Sequence, residues 1–114
     1  MNIQDPKLLK LYIAVLDEVP DHMVPTLVAH TILNAHRNFA SYSLVYNDWL
    51  DHSFKKVVLR VNRKEFAKIN ELTWVHRGCE STVLNGETSC IVVCPRHTNH
   101  KVLTFAKMWK PTYN

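Results

Sequence analysis

Ser89-Cys90-Ile91-Val92-Val93-Cys94 is the stretch on which the fold turns. Five consecutive apolar residues, stopped by Pro95, read as a strand covered on both faces and therefore central in a sheet. Upstream, Leu11-Tyr-Ile-Ala-Val-Leu16 reads the same way, bounded by Asp17, and Lys56-Val-Val-Leu-Arg-Val61 is another strand. Thr73–His76 is a short strand, and Arg77–Glu87 is a loop or irregular hairpin with Gly78, Asn85 and Gly86 as turn residues.

Helices fill the gaps. Asp17–Asp21 is a turn, and Asp21 is placed to cap a helix from His22 to about Phe39, where Val24, Leu27, Val28, Ile32, Ala35 and Phe39 recur at helical spacing. Pro25 fits the first turn, where backbone N–H groups lack intrahelical partners. Ala40–Phe54 has no clean period, and Tyr42, Tyr46 and Trp49 mark it as a packed connection. Asn62 with Glu65 forms a capping box that opens a helix with Phe66, Ile69 and Leu72 on one face. A final helix carries Val102, Phe105, Ala106 and Trp109 and stops at Pro111. Alternating strands and helices predict a single α/β domain over residues 1–114, a three-layer sandwich around a small, mixed, mostly parallel four-stranded sheet.

Composition excludes several classes. Of the 114 residues 46% are hydrophobic and 21% charged, which suits a packed core and excludes a disordered or fibrous chain. No apolar run approaches the roughly 18 residues of a membrane span, and the start lacks a signal-peptide core. Three cysteines, an odd number, speak against a secreted disulfide framework, so the expected compartment is cytoplasmic. Charge is uneven. Residues 1–52 carry three basic against six acidic side chains, and residues 53–114 carry eleven against four. That asymmetry favours an anionic partner for the second half, although on charge alone a solvated surface is the better reading.

The order of elements and two local stretches resemble the type 2 peptidyl-tRNA hydrolase family. Val28-Ala29-His30-Thr31 stands where that family has an Ala-His pair in its first helix. Gly86-Glu-Thr-Ser-Cys-Ile-Val-Val-Cys-Pro95 follows its Gly-Thr-x-Thr and apolar strand closed by Gly-Pro. The resemblance implies an α/β sandwich and a cleft for a tRNA end. The departures are specific. The family's active-site lysine and its neighbours fall among His22, Met23 and Leu27. Its loop aspartate falls at Arg77, its arginine at Glu80 and its first threonine at Ser81. Glu87 replaces the threonine after the glycine, while Ser89 keeps a hydroxyl.

The resemblance therefore makes His22, Arg77, Glu80, Ser81, Glu87 and Ser89 the candidate catalytic set, with Asp21, His30 and Gly86 as candidate ligand-binding residues. These sit around the carboxyl ends of the strands, where open α/β sheets bind ligands. Hydrolysis needs an activated water or hydroxyl and donors for the developing oxyanion. With lysine and aspartate gone, binding of an RNA or tRNA end, or of a small phosphorylated molecule, is the expected function. A protein-interaction module, with a homodimer through its edge strand, is one alternative. A hydrolase using a substituted set, in which Arg77 and Glu80 pair in reversed order, is another. His30 lies with Thr26, Asn34 and Arg37 off the apolar stripe and is expected to be structural.

Basic residues from Lys55 to Lys68 and from Arg96 to Lys110 are placed to track a phosphate backbone, with Trp74, Trp109 and Tyr113 available for stacking, Trp109 being the better core residue. His76-x-x-Cys79 and Cys94-x-x-His97-x-x-His100 carry zinc-ligand types. Cys90 and Cys94 read instead as buried filling, and no metal or cofactor is expected. Neither a P-loop, a GxGxxG, a GxSxG elbow nor an HExxH is present.

Overall fold

In the computed structural model, which describes residues 5–112, the first apolar run becomes strand β1 (Lys10–Leu16). Its side chains alternate between two cores: Leu11, Ile13 and Val15 enter one cluster, and Tyr12 and Ala14 the other. Helices α1 (Val24–Tyr42) and α2 (Leu44–His52) supply the first cluster with Leu27, Ala35, Phe39, Tyr46 and Trp49. On the opposite face, α3 (Arg63–Asn70) and the short α4 (Lys101–Phe105) bring Ile69 and Leu103 onto Leu59, Val61, Ile91 and Val93. The three-layer α/β sandwich expected from the sequence is present.

The sheet departs from expectation in number and direction. It has five strands in the order β3-β4-β1-β2-β5, where β2 is Lys55–Val61, β3 Val75–Gly78, β4 Cys90–Val93 and β5 Lys107–Met108. Only β1 and β2 run parallel, and the other three pairings are antiparallel. The alternation of strands and helices points to a mostly parallel sheet, which this one is not. Here helices cover both faces whatever the strand direction, so burial on both faces carries no information about it. β4 is wholly buried and interior, but β1 holds the middle.

Three local readings change. Asp21 does not cap a helix: it belongs to a 3-10 turn, Asp21–Met23, and α1 begins after it with Pro25 in its first turn. The segment after Phe39 is helical: α1 runs on to Tyr42, extended Ser43 interrupts it, and the Ser43 hydroxyl accepts from the Tyr46 N–H to start α2. Finally, the last helix stops at Phe105. Trp109 leaves it to pack against the first core cluster, and its N–H donates to Val58 O at 2.8 Å. The capping box at Asn62 and Glu65 forms in both directions, at 2.8 and 2.9 Å.

Gly78 closes α1 onto the sheet. A Cβ there would meet the Thr31 hydroxyl at 2.0 Å, so only glycine lets strand and helix approach this closely. Gly86 serves a different need, ending a left-handed run in which Leu84, Asn85 and Gly86 have φ of 48, 56 and 76°.

Candidate functional site

The turn after β1, the start of α3 and the 79–89 loop meet at one end of the sheet, because β4 runs opposite to β1. Two ion-paired groups and one histidine–carboxylate contact lie at that end. Arg63 donates twice to Glu18, at 2.6 and 2.9 Å, and once to Glu87 at 2.9 Å. This clamp raises the guanidinium pKa and lowers that of Glu18. Asp21 accepts from Arg60 at 3.1 Å and from the Thr112 N–H and hydroxyl at 2.6 and 2.8 Å. Arg60 also donates to Lys110 O at 2.7 Å and lies over the Trp109 ring, so Asp21 anchors the chain segment that follows β5. His30, exposed on α1, approaches Glu80 to 3.6 Å.

The predicted catalytic set is therefore dispersed. Arg77 lies within β3, not in the loop, and donates to the Asn70 side chain and to Asn70 O, closing the end of α3. Gly78 faces α1 and its neighbour Arg77 faces α3, because strand side chains alternate. Glu80 turns to His30 on α1. The reversed Arg77–Glu80 pair does not form. Ser89 is fully buried and its hydroxyl has no hydrogen-bond partner, so it faces no solvent-filled cleft. Its backbone joins the sheet by accepting from the Leu16 N–H and donating to Gly78 O, both at 3.0 Å. Glu87 is held by Arg63, while His22 and Ser81 are exposed. A depression of about 320 Å³ at this end is lined by Asp17, Arg60, Asn62, Glu65, Phe105 and Lys107, none of them in the catalytic or ligand-binding set that the resemblance implies.

A pH experiment reads the Asp21 anchor. Its three donors, the Thr112 amide foremost, hold the carboxyl at about 2, below its ordinary 3.8. Because the folded value is the lower one, the anchor contributes fully above 3.8 and is lost as pH falls towards 2. Residues 107–112 should loosen over that interval, seen as faster hydrogen exchange at the Trp109 amide relative to β1 amides. Asp21→Asn should show the loosened state already at pH 7. Unchanged relative exchange in both would remove the anchor's role.

The opposite end of the sheet differs in charge and shape. Lys10 pairs in register with Lys55, next to Lys56, and Lys7 lies on the turn leading into β1. Lys56 Nζ lies 3.1 Å from the exposed Phe54 ring. Asp5 and Asp51 are the exposed acids on the neighbouring segments. β4 ends here too, bringing Arg96 and His97 beside Trp74 and the α1–α2 junction around a cleft of about 480 Å³. Sequence reading touched these residues separately, as zinc types, a stacking tryptophan and a basic residue. Their convergence depends on β4 pairing with β3, which no local pattern encodes. Tyr113, the third candidate for stacking, lies outside the described residues.

Among the described residues, no three His, Cys, Asp or Glu side chains are grouped so as to hold a metal ion, and no helix is long and apolar enough to cross a membrane. Cys90 and Cys94 are buried filling; burial pushes the Cys90 thiol up to about 12 and raises that of Cys94 as well. The chain matches no protein-family model and no curated protein.

Proposed function

We propose that this chain is a binding domain, divergent from type 2 peptidyl-tRNA hydrolases, that holds a single-stranded RNA end without efficient hydrolysis. The observation that carries the reading is the cluster of exposed lysines and aromatic faces at the amino-terminal rim of β1 and β2. At the end where the resemblance puts catalysis, Arg60 and Arg63 are committed to carboxylates, the Ser89 hydroxyl is buried without a partner, and the Thr112 hydroxyl is tied to Asp21. Asp17, Glu18, Glu80 and Glu87 stand at that end, with Lys107 lining the same depression as Asp17. Lys7, Lys10, Lys55 and Lys56 line the other end with exposed Phe54 and Trp74, the combination of cations and aromatic faces that suits single strands. Binding is thus displaced from the family's cleft to the amino-terminal rim of β1 and β2. The edge-strand homodimer has less support, since β3 has four residues and β5 two, and short edges template pairing poorly.

The test is RNA affinity against salt. A fluorescent single-stranded RNA should bind at low salt and weaken steeply as salt rises. Lys10→Ala with Lys55→Ala should flatten the log–log slope by about 0.7 per lost phosphate contact. No binding at low salt would overturn the reading in favour of a protein-interaction module. An N-blocked aminoacyl-tRNA should remain uncleaved. Cleavage that Arg77→Ala and Glu80→Ala abolish would restore the hydrolase.

A further inference from the structure

We propose that the cleft between the α1–α2 junction and the ends of β3 and β4 binds a small organic monocarboxylate with a flat or aliphatic body. Its volume, about 480 Å³, lies in the range of small-molecule sites. Tyr42, Leu44 and Trp74 form apolar walls and are themselves strongly exposed, Trp74 by 52% and Tyr42 by 75%. Large apolar side chains left in water around a concavity gain by covering one another with a ligand.

The polar groups in the cleft select the ligand's head. Arg96 donates through Nη2 to Thr73 O, which fixes the guanidinium, while its buried Nε has no partner. His97 Nδ1, also buried, has none either. Arg96 and His97 both line the cleft, and both are half-buried rather than sealed off. Burial lowers the Arg96 pKa, in keeping with a cation lacking an anion beside it. No Asp or Glu lines the cleft to supply that anion. The Cys94 thiol is engaged with the Ser43 hydroxyl at 3.4 Å and belongs to the floor. One permanent positive charge balances a carboxylate and leaves a phosphate dianion under-neutralised. A guanidinium edge also matches carboxylate geometry.

Trp74 supplies an independent sign. Its φ of +57° is left-handed, a costly conformation for a bulky residue, and it holds the indole at the cleft. Strain of this kind gathers at ligand-binding positions.

The inference does not depend on RNA binding, and the experiment keeps the two apart. Isotope-labelled full-length protein is titrated with 2-naphthoate, with octanoate, with neutral 2-naphthamide and with orthophosphate, following the Trp74 indole N–H and the Arg96 Nε–H. At least one carboxylate should move both signals, and 2-naphthamide should bind roughly tenfold more weakly than 2-naphthoate. Arg96→Gln should erase that preference. Trp74→Gly should weaken binding while holding or raising the melting temperature, because glycine adopts positive φ freely. A loss of binding through general unfolding would lower it. Silence from both carboxylates, equal affinity for acid and amide, or phosphate binding as tightly as carboxylate would each overturn the proposal. Failure of RNA to bind would leave it standing.

Discussion

Trp49→Ala should destabilise the protein by about 3–5 kcal/mol, the range for deleting a large buried aromatic side chain. Trp49 is 1% exposed and joins two elements. Its ring lies 5.2 Å from Tyr46 within α2 and 5.4 Å from Phe54, and its indole N–H donates to Lys55 O at 2.7 Å at the start of β2. Tyr46 continues the cluster to Phe39 and His36 on α1. Truncation leaves a cavity and an unpaired carbonyl together, against a total stability of about 5–15 kcal/mol for a domain of ordinary size. Urea unfolding followed by far-UV circular dichroism measures the loss. Trp49→Phe, which keeps most of the volume and gives up the hydrogen bond, should lie between wild type and alanine. A loss under about 1 kcal/mol for alanine would mean that α2 is not part of the cooperative fold.

Gly78→Ala should cost about 1–3 kcal/mol through overpacking, and Gly78→Val more. A Cβ would lie 2.0 Å from Thr31 Oγ1, 2.7 Å from its Cγ2 and 2.8 Å from its Cβ. Thr31 has no easy retreat: it is buried, β-branched, and its hydroxyl donates to Leu27 O at 2.7 Å. Thr31→Ala removes two of the three obstructing atoms. In Gly78→Ala/Thr31→Ala the penalty should therefore shrink without vanishing, a coupling visible in a double-mutant cycle by urea unfolding. Strictly additive effects would mean that α1 and β3 move apart easily, and the close approach would lose its significance.

What the sequence disclosed was local. Leu11–Leu16 and Ser89–Cys94 were legible because five or six apolar residues in a row have few places to go but a covered strand. The capping box was legible because both partners lie three residues apart. α2 was hidden because it is only nine residues long and opens on exposed Leu44: Val45, Tyr46, Trp49 and Leu50 share one face, but two turns give the period little room to show. β5 was hidden because two residues carry no period, and its place depends on pairing with β2 and on Asp21 gripping Thr112. The candidate site failed for the same reason. Arg63 meets Glu18 and Glu87 from 45 and 24 residues away, and Arg77 is turned from Glu80 by the alternation of a strand that lies two residues further along than its sequence reading.

The placement of β1 at the centre of the sheet also has a kinetic side. Among the described residues it is the first strand made, and six of its seven residues are buried in the folded protein. Its parallel neighbour β2 begins only at Lys55, and its antiparallel neighbour β4 only at Cys90. During synthesis an apolar segment with two unpaired edges must wait for most of the described chain before both sides close. Pairings this distant in sequence are slow to form and leave sticky surface exposed meanwhile. The interval before Cys90 emerges is therefore when this protein most needs a chaperone's shelter.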